Sequence, residues 1–115
     1  MANQPTHVYH RVILEGGSTV TPKINIYGNT LVGFKFPVGF DGATITLRAA
    51  IEADSPNFAN VIDPVTGSEI TIYAGADKFV VAHPSDLSSI QYFRIVSATI
   101  AAADREIIVI TRPCL

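Results

Sequence analysis

Three histidines, His7, His10 and His83, carry the most versatile chemistry in this sequence. Two imidazoles on one face are a common start to a metal site. His7 and His10 are three apart in what reads as arm or strand, so they point to opposite faces, and no cysteine lies near them. We expect surface or packing roles for them, with no metal and no cofactor. Ten carboxylates are spread thinly through the chain. Asp41, Asp54 and Asp63 each sit in a turn beside Gly, Ser or Pro, where a carboxylate bonds neighbouring backbone amides. Loop aspartates meeting at one end of a sandwich would have oxygens for calcium, which takes about six to eight. No DxDxDG-type loop is present, however. Ser18, Ser55, Ser68, Ser85, Ser88, Ser89 and Ser97 all lie outside any GxSxG elbow. Gly16-Gly17 lacks the lysine and helix of a phosphate-binding loop. With no acid–base pair or nucleophile arrangement, the sequence reads as non-enzymatic and no catalytic residue is assigned.

The aromatic residues divide by chemistry. Phe34, Phe36, Phe40, Phe58, Phe79 and Phe93 are expected in the core. Tyr9, Tyr27, Tyr73 and Tyr92 suit partner contact, because a ring with a polar tip tolerates an interface. There is no tryptophan, so a stacking platform for sugar has little support.

The elements that must position these residues are strands. The centre of the chain, Ala43 to Ala53, alternates: Ile45, Leu47, Ala49 and Ile51 share one side, and Thr44, Thr46, Arg48 and Glu52 the other. That pattern predicts a strand with one buried face. Turn residues bracket it, Pro37, Gly39 and Asp41-Gly42 before and Asp54-Ser55-Pro56-Asn57 after. Val8 to Leu14 predicts a first strand. Lys23 to Tyr27 and Leu31 to Phe36, joined by Gly28-Asn29, predict a hairpin, the second run with Val32, Phe34 and Phe36 on one face. Phe58 to Ile62 reads as a short strand, and Glu69 to Tyr73 and Lys78 to Ala82 as paired strands. Pro84 to Leu87 has the residues for one helical turn. Ile90 to Ala98 puts Tyr92, Arg94 and Val96 opposite Phe93 and Ile95, Ala98 to Asp104 is a loop or single turn, and Glu106 to Arg112 is the last strand. About eight or nine short strands without a helix-period segment predict an all-β antiparallel β-sandwich, jelly-roll-like.

The chain has 115 residues, enough for one domain to bury roughly two-thirds of its unfolded surface without disulfides. We expect residues 1–7 to form a flexible N-terminal arm and residues 8–115 a single β-sandwich. Charged residues are 16% of the chain, against roughly one-quarter in ordinary globular proteins, as in a domain that hides surface against a partner or in a β-rich domain that uses Thr and Ser instead. The net charge is −2 and the eight basic residues are scattered, so the clustered Lys and Arg of a nucleic-acid interface are missing. One cysteine, Cys114, cannot form an internal disulfide, which fits synthesis in a reducing compartment. Neither a signal-peptide core nor an apolar run of about 20 residues is present, so no membrane partner is expected.

Several motifs together resemble small virion proteins of tailed bacteriophages. They are Phe36-Pro37, Phe40-Asp41-Gly42, Ile45-Thr46-Leu47, Ala49, Phe58-x-x-Val61-x-Asp63, Gly67, Tyr92-Phe93-Arg94-Ile95 and Ala103-Asp104-Arg105-Glu106-Ile107-Ile108-Val109. The similarity, over Leu31 to Pro113, is to capsid decoration, or cement, proteins with jelly-roll folds. It implies a structural protein made in the host bacterial cytoplasm that docks on the capsid surface of the virion. Its partners would be the major capsid protein and further copies of itself, as a dimer or trimer. Pro5, His7 and Tyr9 of the polar N-terminal arm are the partner-binding residues expected to order against a neighbour. Related sandwiches in phage tails and fibres carry carbohydrate-binding loops, so the alternative is a carbohydrate-binding or adaptor module using Asp54 to Asn57 and Asp63-Pro64.

Overall fold

The computed structural model describes residues 7–81 and 90–113. Among them are nine strands and no helix: β1 (Val8–Leu14), β2 (Ile24–Asn25), β3 (Thr30–Lys35), β4 (Thr44–Ala50), β5 (Ala59–Asn60), β6 (Ile72–Tyr73), β7 (Phe79–Val81), β8 (Tyr92–Ser97) and β9 (Arg105–Arg112). They form two antiparallel sheets. The first has the order β1-β9-β3-β7, and the second β2-β8-β4-β5, with β6 also on β4. The pairings nest: β1 with β9, β2 with β8, β3 with β7, and β4 with β5 and β6. A long hairpin folded over on itself in this way is a jelly roll. The expected helical turn at Pro84 to Leu87, and Pro5, His83 and Cys114, lie outside the described residues.

The core is the space between the sheets. Leu14, Phe34, Phe36, Ile107 and Val109 fill it from the first sheet and its β3 exit, and Ile45, Leu47, Phe93 and Ile95 from the second; all are at most 1% exposed. Burying each such side chain stabilises the fold by roughly 1.5–3 kcal/mol. Alternation holds where it was clearest, since β8 presents Phe93 and Ile95 inward and Tyr92, Arg94 and Val96 outward. Buried hydroxyls are satisfied. Ile95 N–H donates to Thr21 Oγ1 (3.0 Å), and Thr111 Oγ1 donates to the Val8 carbonyl (3.0 Å).

Four sequence expectations are corrected. The β2–β3 hairpin does not form, because β2 pairs with β8 in one sheet and β3 with β9 and β7 in the other. A turn is still present: Tyr27 and Gly28 both have positive φ (52° and 82°), and Asn29 N–H bonds the Ile26 carbonyl at 3.0 Å. This type I′ pattern usually closes a hairpin, but here it carries the chain between sheets. β6 and β7 likewise belong to different sheets. In β3, a register shift between Leu31 and Gly33 leaves Val32 as the extra residue. A bulge of this kind re-phases side chains, so Leu31 joins Phe34 and Phe36 in the core while Val32 is only half-buried. Finally, β4 ends at Ala50 and Ile51 is 93% exposed.

Loops at one end of the sandwich are bonded to one another. Gly17 N–H reaches the Ala101 carbonyl, Gly16 N–H the Asp104 carboxylate, and Asp77 N–H the Pro37 carbonyl. Arg105 Nε donates to Asp41 Oδ1 at 2.9 Å, with both side chains about four-fifths covered. The hydrogen bond from Arg105 holds the Asp41 carboxyl below its ordinary 3.8. As pH falls, the unfolded chain therefore takes up this proton first. The pair's contribution is full above about pH 4 and is lost as pH drops through the folded-state value. Urea midpoints of the native protein should fall more steeply from pH 4.5 to 2.5 than those of Asp41→Asn, and equal slopes would contradict this account.

Candidate functional site

The two outward sheet faces differ in chemistry. On the second sheet the outward residues are mostly polar: Thr44, Thr46 and Arg48 on β4, Tyr92 and Arg94 on β8, and Asn60 beside Arg48. Arg94 is tied down, donating to the Thr21 carbonyl at 3.1 Å with its guanidinium 5.2 Å from the Phe58 ring.

The outward face of the first sheet is different. Register places Tyr9, Ile110, Gly33 and Val81 side by side across four strands, and Arg11, Ile108, Lys35 and Phe79 in the next row. Ile13 and Glu106 begin a third row. Tyr9, Phe79 and Val81 are 61%, 64% and 76% exposed, and Ile13 is also exposed. Ile110 is buried yet does not belong to the core cluster, in keeping with its outward direction. The sequence foreshadows this: Ile107 to Ile110 is a run of four apolar residues, and without alternation both faces of β9 must be apolar.

Gly33 shapes the middle of the patch. A Cβ there would lie 2.7 Å from the Val80 carbonyl oxygen, so the chain has no side chain at that point and the surface dips between Ile110 and Val81. The charges flanking the patch are ion-paired, Arg11 Nη1 to Glu106 Oε1 at 2.9 Å and Lys35 Nζ to Asp77 Oδ1 at 2.6 Å, and Arg112 is exposed at the far end of β9. The Lys35 ammonium holds the Asp77 carboxyl below its usual range. An apolar centre with its charges already neutralised is cheap to desolvate, as a docking surface requires.

Of the expected partner-binding residues, Pro5 lies outside the described residues. His7 is exposed and stacks on Tyr9 with ring centroids 6.4 Å apart. Tyr9 is not part of an arm, because it is paired with Ile110 inside β1. His10 points inward, half-buried against Tyr27 and near the Thr111 hydroxyl, and burial lowers its pKa. Phe79 was expected in the core and is instead on the patch. Its alternation with Val81 around half-buried Val80 was the available signal.

The turn aspartates are not gathered at one site. Asp41 precedes β4 and is held by Arg105, whereas Asp54 follows β4. Asp63 lies in the excursion between β5 and β6, where its carboxylate accepts from Val65 N–H at 2.8 Å. Ser55 Oγ donates to the Asn57 carbonyl at 2.8 Å. These loop groups are occupied in shaping their own turns. Among the described residues no three His, Cys, Asp or Glu side chains are grouped to hold a metal ion. Comparison of the chain with protein-family models, curated proteins and solved structures gave no match.

Proposed function

We propose that this chain is a non-enzymatic virion structural protein that binds the outer capsid surface as a small oligomer and stabilises the shell. The observation that carries the proposal is the apolar double row of Tyr9, Ile110, Val81, Ile108 and Phe79 on the outward face of a cross-bonded jelly roll. The resemblance of Leu31 to Pro113 to decoration proteins supports the same reading. Binding to the intact lattice, and not to a disrupted one, adds free energy to the intact form by mass action. A pre-formed β-sandwich loses little conformational entropy on docking, so the apolar area converts efficiently into affinity.

The test is co-sedimentation with undecorated capsids of a tailed phage. The native protein should saturate at a simple ratio to shell subunits and raise the shell's melting temperature. Phe79→Ser combined with Val81→Thr should weaken binding by at least about tenfold, since each exposed apolar side chain contributes on the order of 1–2 kcal/mol when covered. Thermal unfolding of the free protein should change little, because both side chains are exposed in it. Equal binding by the double variant would remove the patch from the proposal. Absence of shell binding, with retention on a glycan array, would replace it with the carbohydrate-binding reading.

A further inference from the structure

Among the described residues the two sheets have four open edges, and three of them are short or broken. β7 is described over three residues and β2 over two, and the β5–β6 edge is interrupted by the excursion between those strands. Short or broken edges are how β-proteins avoid unwanted strand pairing. The fourth edge is different. β1 runs for seven residues in unbroken register with β9 from Val8 to Leu14. It contains no proline, glycine or lysine and no bulge, and β9 is its one strand partner among the described residues. Its alternate backbone N–H and C=O groups therefore point away from the sheet, available to another strand.

We propose that β1 pairs with β1 of a second copy, antiparallel about a two-fold axis centred on His10, to join the two first sheets into one continuous eight-stranded sheet. The occupant follows from the strand's own side chains. Centring on His10 sets Tyr9 opposite Arg11 of the second copy twice, a cation–π arrangement, and Val8 opposite Val12 twice. A slip to a centre on Arg11 would pair all seven β1 residues instead of the five from Val8 to Val12, but it sets two guanidinium groups face to face, which is unfavourable. In the favoured register Arg11 also keeps its own Glu106 partner. The axis stands perpendicular to the sheet, so the outward apolar faces of both copies lie side by side. That part of the inference rests on the proposed docking role: a dimer would present two patches to a lattice at once and gain by avidity.

The pairing itself is tested without any shell, so its failure is separate from failure of the capsid reading. At pH 7.5 the native protein should sediment as a dimer at high micromolar concentration. In a Cys114→Ser background, His10→Cys should form a covalent dimer under mild oxidation, because directly opposed residues of an antiparallel pair lie about 4.5–5.5 Å apart at Cα, within disulfide reach. A mixture of Tyr9→Cys and Ile13→Cys proteins in the same background, the pair that an Arg11-centred register would oppose, should crosslink at least about tenfold more slowly, since their Cα atoms are offset in the proposed register. Preferential crosslinking between Tyr9→Cys and Ile13→Cys would overturn the register. A native protein that remains monomeric at several hundred micromolar would overturn the proposal.

Discussion

Phe36→Ala should lower the unfolding free energy by about 3–5 kcal/mol, the range for deleting a large buried aromatic. Phe36 is fully buried at the exit of β3, with its ring centroid 6.1 Å from Phe34 and 4.7 Å from Phe40. The substitution removes the apolar area and two ring contacts at the junction where the first sheet meets its cross-bonded end. The Phe36 N–H also bonds the Lys78 carbonyl at 2.9 Å, which resists movement of the backbone into the void. Total stability of such a domain is about 5–15 kcal/mol, and about 4 °C is lost per kcal/mol at this size. The melting temperature should therefore fall by about 12–20 °C. A drop under about 4 °C would mean that neighbouring side chains refill the site.

Gly33→Ala is the second large effect, and it acts on the proposed interface as well as on stability. The added methyl would sit 2.7 Å from the Val80 carbonyl oxygen, a backbone atom with no rotamer to change. β7 must move away from β3 or the bulge must reshape, at a cost of about 1–3 kcal/mol. Because β7, over its described residues Phe79–Val81, is an edge strand whose one strand partner among the described residues is β3, the strain should be released by detaching it. Hydrogen exchange at Val80 and Val81 should rise at least about tenfold while exchange in β8 stays nearly unchanged. Since β7 carries Phe79 and Val81, shell binding should weaken in parallel. Uniformly faster exchange across both sheets would instead point to global destabilisation.

The sequence makes the long strands legible. β4 and β8 alternate over six or more residues, and Ile45, Leu47, Phe93 and Ile95 were readable as their inward set from that alone, whereas β1 and β9 were legible as strands but the apolar runs Val12 to Leu14 and Ile107 to Ile110 hide which side faces the core. The short elements are different: β2, β5, β6 and β7 have two or three residues each, too few for any period, and their partners are set by strands far along the chain. Tyr27-Gly28 illustrates the difficulty, since a turn that locally favours a hairpin is overruled by pairing of β2 with β8. Gly33 was readable as a strand glycine, but its proximity to Val80 depends on β7. Tyr9 was readable as an exposed residue from its chemistry, whereas Phe79 was not. An apolar side chain facing the core and one facing outward have the same composition, and only the register across four strands tells them apart.

The nested pairing also governs when this protein is able to fold. Arg11 and Glu106 are ion-paired although 95 residues separate them. At a synthesis rate of about 5–20 residues per second, β1 emerges about 5–20 s before the strand that completes it. Through that interval its inward apolar face and the edge that β9 will take lack their native cover. Assembly of the first sheet must then follow synthesis of β9, with the slow closure expected of non-local strand pairing. The yield of folded protein in a cell should therefore depend on how well the early half of the chain is kept from pairing with other nascent chains.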